Sequence, residues 1–443
     1  MARSKLTARR LWRNATRRAL RGFEHWRGGR SPAAGWWGSW FSVAGWFSWI
    51  VAPVLASGRA PFGLLVAVTA TGTLAMHILI PVLPLAAVDF GVSRGAIQQA
   101  ITLYLFGIAG GQLLYGPVSD RFGRRPTLIV SLALYIAAGI VAGWAATLAT
   151  LLMARVIQAV GGCGGLVLGR AIVRDSAGPG EATSRMALLT MVQSVAPGVG
   201  PVVGGFLGAW FGWRSIFVML VALGAVTLAG VILLLPETAA SRGSGRMLGS
   251  YIRLLRSRIF CGYMFGGAFT STTFFAYLTT SPFIFTNMLH RPATEIGLYY
   301  LVVMAGVPVG SFSASRLVRR RVRPILLLRV TSAVALAGAA LFFVVAATGH
   351  ITVLTVLAPM ILFSVGVGAA APVAITAAIS TDPHMIGAAS GLYGFMQMAN
   401  GALCTLVVGL IPANPALAAG SVLLAGLVLG QLFFLLATRP VAA

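Results

Sequence analysis

The chain is predicted to be an all-α integral membrane protein, with twelve transmembrane helices in two six-helix bundles. Three observations predict it. Of its 443 residues 58% are hydrophobic and 9% charged, more apolar than a water-soluble fold can bury. Charge-poor apolar runs of about 20 residues recur along most of the chain, each long enough to cross a hydrocarbon core as a helix. Barrel strands would be half that length and would alternate in polarity. Finally, the 33 Lys and Arg, against eight Asp and Glu, gather in short segments between the runs, as topology-setting charges do. In a soluble protein a net charge of +25 would suggest nucleic acid; this placement excludes that partner and points to lipid headgroups. Lys5 is the only lysine, so the preference for arginine reads as composition and carries no function.

The elements follow in order. Residues 1–60 form a basic, Trp-rich segment expected in the cytoplasm or at the interface. Within it, "GWWGSWFSVAGWFSWIVAPVLAS" (residues 35–57) is uncharged and long enough to cross. Crossing would place the Arg-rich first 30 residues outside or invert every later loop. A surface helix with its indole rings at the headgroups is therefore expected, with an extra span as the alternative. "ARRLWRN" is similar to a twin-arginine export signal, but no short apolar region and cleavage site follow it; a true start further downstream is a third option. The N-terminal bundle, 61–236, reads as spans 1 to 6 at about 62–87, 97–118, 126–146, 149–172, 186–210 and 214–235. A cytoplasmic connector covers 237–258. The C-terminal bundle, 259–443, reads as spans 7 to 12 at about 259–286, 296–314, 325–347, 351–379, 386–411 and 416–437. With both termini in the cytoplasm, every Lys and Arg falls on the inner side except Arg94, Arg214 and Arg291 outside and Arg155 within span 4. In that count Arg170, Arg174 and Arg185 belong to the inner end of span 4 and its loop. Cys163, Cys261 and Cys404 lie in three different runs without partners, which excludes disulfide and metal readings and leaves packing.

The two halves echo each other. "GPVSDRFGRR" (Gly116 to Arg125) closes span 2, and "GSFSASRLVRRR" (Gly310 to Arg321) closes span 8 with the acid lost. A duplicated six-helix bundle is the common plan of secondary transporters, whose site lies between the halves near mid-membrane. In the first copy Arg121, Arg124 and Arg125 meet water and headgroups, Gly116 and Gly123 permit a tight turn, and Asp120 can accept from arginines or from a helix N-terminus. Topology alone explains the arginines but not Asp120 among so few acids. The loop resembles the signature of the major facilitator superfamily, Gly-x-Leu-Ala-Asp-Arg-x-Gly-Arg-Arg. It matches at Gly116, Asp120, Arg121, Gly123, Arg124 and Arg125, with Val118 and Ser119 as departures. The resemblance implies a conformational latch in which Asp120 and Arg124, with Asp175 of "GRAIVRD", hold one face closed.

In span 4, Arg155 sits a few residues inside the outer end, where a charge is costly and marks function more often than anchoring. "RVIQA" resembles the superfamily's Arg-x-x-Gln-Gly motif, with Gln158 matched and Ala159 in place of glycine. That motif implies a part in proton transfer. "APGVGPVVGG" in span 5 has the wrong spacing for a nucleotide loop. As a membrane helix its glycines permit close packing and its prolines weaken the backbone ladder. It looks like the antiporter motif of drug exporters through Gly200, Pro201, Gly204 and Gly205, with Ala196 where a first glycine often lies. "GRAIVRD", "GWRSIF", "LPET" and "SPFIF" look like the Bcr/CflA group of drug–proton antiporters. The likeness runs from about residue 70 to the end of span 12.

One departure matters. Where that group carries an aspartate in span 1, "MHILIPVLP" offers His77, and all eight acids of this chain map to span ends or loops. A cavity without a buried acid disfavours lipophilic cations, and imidazole, which titrates near neutrality, becomes the candidate proton carrier. Helix packing is the plainer role for His77. Tyr104, Gln112, Gln193, Tyr277, Gln397 and Asn400 are candidate cavity-lining residues, with interhelical hydrogen bonding as the alternative for each. The expected function is export of small neutral or weakly anionic amphiphiles, phenicol-type antibiotics above all, by proton antiport and alternating access. The expected setting is a bacterial inner membrane, and the expected form a monomer among lipids, with no cofactor beyond the proton gradient and no metal. No nucleophile–base pair suggests an enzyme. The alternatives are a metabolite or organic-anion transporter, and a non-transporting sensor or scaffold.

Overall fold

The computed structural model describes residues 60–176, 179–238, 247–320, 322, 324–382, 385–412 and 414–438. The Trp-rich stretch 35–57 and the twin-arginine-like run lie outside the described residues. Span 1 runs over Phe62–Phe90, span 2 over Arg94–Phe122, span 3 over Arg124–Gly143 and span 4 over Leu148–Ser176. Span 5 covers Pro179–Phe211 and span 6 Ser215–Leu234. In the second half, span 8 covers Ala293–Arg319, span 9 Pro324–Thr348, span 10 Val353–Ile379, span 11 Ile386–Leu410 and span 12 Pro415–Thr438. Among the described residues these are 11 helices long and apolar enough to cross a membrane. Span 7 is the twelfth and is assembled from pieces, Arg258–Thr272, Phe274–Phe283 and a π-helical turn, Ile284–Met288. Residues Met247–Leu255 of the connector form a short helix, whose Leu254 is buried with Phe260, Ala388 and Leu392 of spans 7 and 11.

Proline explains the break in span 1, and a second proline leaves span 7 short of one backbone hydrogen bond. Pro81 has no N–H to offer the His77 carbonyl four residues back, and its ring crowds that carbonyl. Span 1 accordingly stops at His77, makes a 3-10 turn over Ile80–Val82 and restarts at Leu83. In span 7, Pro282 stands four residues after Leu278, and the Leu278 carbonyl accepts instead from the Tyr300 hydroxyl at 2.6 Å. Irregular backbone at membrane depth is tolerated where neighbouring spans satisfy it. Spans 1 and 7 occupy the same position in their halves, so the duplication extends to the interruption itself.

Each half closes around its fourth span. In the first half span 4 packs on spans 1, 2 and 3, and in the second span 10 packs on spans 7, 8 and 9. The "GGCGG" run of span 4 makes this approach possible: a Cβ on Gly161 would lie 2.5 Å from the Tyr135 nitrogen, and one on Gly162 3.1 Å from the Gly72 Cα. Small residues at the crossing let helices pack by dispersion where the lipid supplies no hydrophobic drive. The halves meet through span 2 against span 11 and span 5 against the outer part of span 8, Ala293–Met304. Side chains such as Val130, Val226, Val309 and Leu410 stand exposed, an apolar girdle suited to acyl chains and unsuited to water. Cys163 and Cys404 are buried in the packing, and Cys261 is partly so.

Candidate functional site: a central cavity between the halves

A cavity of about 380 Å³ lies between the halves, lined from spans 1, 2, 4 and 5 on one side and 7, 8, 10 and 11 on the other. Above it the halves are joined. Gln98 donates to the Thr279 carbonyl at 2.9 Å and to Thr280 at 3.2 Å, Thr102 donates to Thr405 at 2.8 Å, and Arg94 donates to the Ile411 carbonyl at 2.9 Å. On the same side Gly297 of span 8 rests on span 5 so closely that a Cβ would lie 2.8 Å from the Pro201 carbonyl oxygen. Below, towards the ends that carry the 2–3 loop, the cavity wall continues through Gln112, Arg170, Gln193, Ile375 and Ser390.

His77 lines the cavity where span 1 breaks. Its Nδ1 lies 3.0 Å from the Thr73 carbonyl; a carbonyl only accepts, so Nδ1 carries the proton and Nε2 is the ring nitrogen left for a second partner. The ring stacks on Phe275 of the broken span 7, 6.0 Å between centroids at 26°, so the two interruptions face each other. Gln112, Gln193 and Gln397 also line the cavity, with Gln397 donating to Ser271 at 3.0 Å.

Three predicted cavity residues, Arg155, Gln158 and Tyr104, stand instead in the packing of the first half. Arg155 is fully buried, donating to Gln158 at 2.8 Å, to the Ala75 carbonyl at 3.0 Å and to the Ala100 carbonyl at 3.4 Å. Its guanidinium lies over the Tyr104 ring at 3.9 Å, while Tyr104 donates to the Gly72 carbonyl at 3.0 Å. These groups tie spans 1, 2 and 4 together. Tyr277 is likewise enclosed by Phe274, Tyr300 and Phe342, and Asn400, beside the cavity, donates to Thr272 at 2.9 Å. The residue that the charge count assigned to the inner loop, Arg170, lines the cavity itself and donates to Gln193 Oε1. Its depth was the available signal: Arg170 lies six residues, about 9 Å of helix rise, inside the end of span 4 at Ser176. Phe274, Phe275, Phe363 and Ser364 complete the wall, and nothing in their sequence setting separates them from ordinary core.

The loop motif assembles into one network. Arg124 reaches Asp120 at 2.6 Å, Asp175 at 3.0 Å and the Ser119 hydroxyl. The backbone N–H groups of Arg124 and Arg125 donate to Glu237 at 2.9 and 3.2 Å, placing an anion on the N-terminus of span 3. Arg125 also donates to the Ile232 carbonyl at 2.7 Å. Spans 2, 3 and 4 and the end of span 6 are thereby fastened within one half. Gly116 accepts from Ser119 through its carbonyl, and Arg121 is exposed, 5.4 Å from the centroid of the Phe122 ring. Glu237, which entered the sequence reading only as part of "LPET", is the added member. Gly123 has φ 98° and ψ 154°, a region nearly closed to other residues, and a Cβ there would lie 2.7 Å from Glu237 Oε2. Gly123→Ala is expected to cost about 1–3 kcal/mol and to lower the thermal unfolding midpoint of the purified protein, whereas Gly249→Ala, at a helical position where a methyl meets nothing, does not lower it.

The span 5 motif lies against the break in span 1. A Cβ on Gly200 would stand 3.2 Å from the His77 Cβ, one on Gly204 would overlap the Ile78 carbonyl oxygen, and one on Gly205 would lie 2.6 Å from the Ala293 carbonyl oxygen. Gly200, Pro201, Gly204 and Gly205 therefore sit where spans 1, 5 and 8 converge, beside His77.

Comparison with known proteins agrees with this architecture. The sequence model described as Major Facilitator Superfamily matches residues 70–405. A chloramphenicol resistance protein of Pseudomonas aeruginosa is 30% identical over 84% of this chain and 87% of its own. Multidrug resistance protein D of Escherichia coli (strain K12) is 28% identical over 85% of this chain and 95% of its own. Among solved structures, a bacterial homologue of the human lysosomal transporter Spinster, in an inward-facing and unoccupied conformation, superposes with a TM-score of 0.68 at 16% identity, covering 88% of this chain and all of that one. Two bundles of six spans around a shared cavity, an Asp–Arg network at the 2–3 loop and a family match across most of the length lead to one conclusion: this chain is a multi-pass membrane transporter, not an enzyme, and belongs to the major facilitator superfamily.

Proposed function

We propose that the protein exports small neutral or weakly anionic amphiphiles, phenicol-type antibiotics foremost, by alternating access against inward proton flow in a bacterial inner membrane. The observation that carries this reading is the cavity wall: among the described residues it holds His77 and Arg170 and no carboxylate. A lipophilic cation would find no counter-charge there and would meet a guanidinium. The drug-resistance names of the relatives support export, and the side-chain contacts that join the halves on the Arg94 side fit a state open towards the other face. With both termini in the cytoplasm, that face is the inner one. His77 is the proton carrier in this scheme, with Nδ1 held by Thr73 and Nε2 loading and releasing the proton. Arg155, Gln158 and Tyr104 hold span 1 in register beside it.

The test is uptake of labelled chloramphenicol into inverted membrane vesicles with and without an imposed proton gradient. Wild type is expected to accumulate the drug only with the gradient. His77→Ala, still folded, is expected to lose at least tenfold of the driven uptake while retaining exchange between the two sides. Uptake no greater than in empty vesicles removes the phenicol substrate. A second reading, transport of an organic-anion metabolite, is favoured by Arg170 and predicts a growth phenotype without drugs. A sensor or scaffold predicts that deleting residues 1–58 abolishes the phenotype, whereas an exporter retains its flux.

A further inference from the structure

Arg170 is a charge in the cavity that neither proton coupling nor packing explains. Arg124, Arg174, Arg185, Arg214, Arg253 and Arg291 each lie within ion-pair distance of a carboxylate. Arg170 has no such partner among the described residues, and its described hydrogen bond goes to the amide oxygen of Gln193 on span 5. A guanidinium only donates, so it fixes the amide orientation: Oε1 faces Arg170 and Nε2 turns away. That Nε2 is buried without an acceptor. The pair thus presents chiefly N–H groups, with the amide oxygen turned to Arg170. A donor-rich surface on a positive charge binds two negatively charged oxygens on one carbon more strongly than the single neutral acceptor of an amide or alcohol, which it can still hold.

The opposite wall has different chemistry. Phe274 stacks on Phe363, 5.6 Å between centroids at 19°, and Phe275 stacks on His77. Phe274, Phe275 and Phe363 line the cavity and make this wall aromatic and apolar. Beside them Ser364, 1% exposed, holds a hydroxyl with no partner. A volume of about 380 Å³ accommodates one or two fused rings with a polar substituent, near the low end of small-molecule sites.

We propose that Arg170 and Gln193 form an anion-binding pole facing an aromatic slot, and that the cavity selects aromatic monocarboxylates over their uncharged counterparts. This rests on the transport reading for its biological purpose and ranks the anionic part of that range above the neutral part, phenicols included. It is measured without transport. Full-length protein in nanodiscs of zwitterionic lipid, which offer no competing anionic headgroup, is titrated at neutral pH with labelled 2-naphthoate and with its isostere 2-naphthamide. Wild type is expected to bind the carboxylate at least tenfold more tightly. Arg170→Gln is expected to weaken naphthoate about tenfold or more and naphthamide less than twofold, erasing the preference. Gln193→Leu is expected to weaken naphthoate about threefold, and Arg170→Lys, which keeps the charge but loses the fork, to fall between; these two carry the test where Arg170→Gln does not fold. Equal affinities in wild type, binding of neither ligand by folded protein, or a carboxylate preference that survives Arg170→Gln overturns the proposal. Carboxylate preference in nanodiscs with no driven uptake of any substrate in vesicles would remove the export reading and leave the pole. Gradient-driven chloramphenicol uptake without the preference would do the reverse.

Discussion

Arg155→Ala is expected to lower the thermal unfolding midpoint of the purified protein and abolish transport together, and Arg155→Lys is expected to restore little of either. The guanidinium donates to Gln158 and to carbonyls of Ala75 and Ala100, so one side chain on span 4 holds spans 1 and 2. Removing it leaves buried acceptors short of a donor, at about 1–3 kcal/mol for each group left unsatisfied, and also loses the contact over the Tyr104 ring, about 2 kcal/mol when desolvated. Relief of the cost of burying the charge offsets part of this. A net loss of about 3 kcal/mol is within the range for a broken buried network. Lysine cannot replace it, since an ammonium on a flexible stem does not span the same three acceptors in one plane. A cavity residue would behave differently: its removal would change ligand affinity and leave the unfolding midpoint near wild type. The measurement that separates the two is a thermal unfolding curve beside a naphthoate or chloramphenicol titration of the same variant.

Arg155 and Arg170 also mark where sequence reasoning succeeds and where it stops. The spans were legible because hydrocarbon thickness sets a length and because no charge is tolerated lightly inside it; predicted and observed ends agree within a few residues except where a helix runs on past the apolar core. The longest overrun is in span 5, which begins at Pro179, seven residues before its expected start. The network at the 2–3 loop was legible in part because Asp120, Gly123, Arg124 and Arg125 lie within six residues, and residues so close in sequence stay close wherever the fold places them. The cavity was legible only in part. Depth in the membrane is readable from a residue's distance to a span end, but the direction in which a helix face points is set by its neighbours. Arg155 and Arg170 are fifteen residues apart on one helix, about 22 Å along its axis; one is enclosed by spans 1 and 2, the other open to the space between halves. A rule that a charge within a span is functional singles out the first, and a rule that positive charges gather at the inner ends removes the second. Of the four glutamines named for the cavity, Gln112, Gln193 and Gln397 reach it, whereas Gln158 is taken up by Arg155 in the packing of the first half.

Gly204→Val is expected to eliminate transport, and Gly204→Ala to reduce it at least tenfold, although neither touches a charge or a ligand. The neighbour that a Cβ would strike is the carbonyl oxygen of Ile78, part of the interrupted backbone between Pro81 and His77, so no rotamer change can make room. Span 5 must retreat from span 1, at a cost of about 1–3 kcal/mol or more for an overpacked contact. On its other side the same stretch of span 5 rests on span 8, through Gly205 on Ala293 and Pro201 on Gly297. Retreat from one span therefore disturbs the other, and that second contact helps close the cavity on the Arg94 side. The effect should be visible as raised labelling of a cysteine at Thr294 by a membrane-impermeant maleimide, in protein otherwise stripped of cysteine, with Gly204→Val labelled faster than Gly204 itself. Gly110→Ala in span 2, where an added methyl meets nothing within 4 Å, is the matched control and should leave labelling and transport unchanged. If Gly204→Val transports normally, the close approach of spans 1 and 5 is dispensable, and the span 5 glycines contribute no more than the flexibility any membrane helix would tolerate. If it fails while labelling stays low, the damage is confined to the His77 side, and the seal between spans 5 and 8 is independent of the break in span 1.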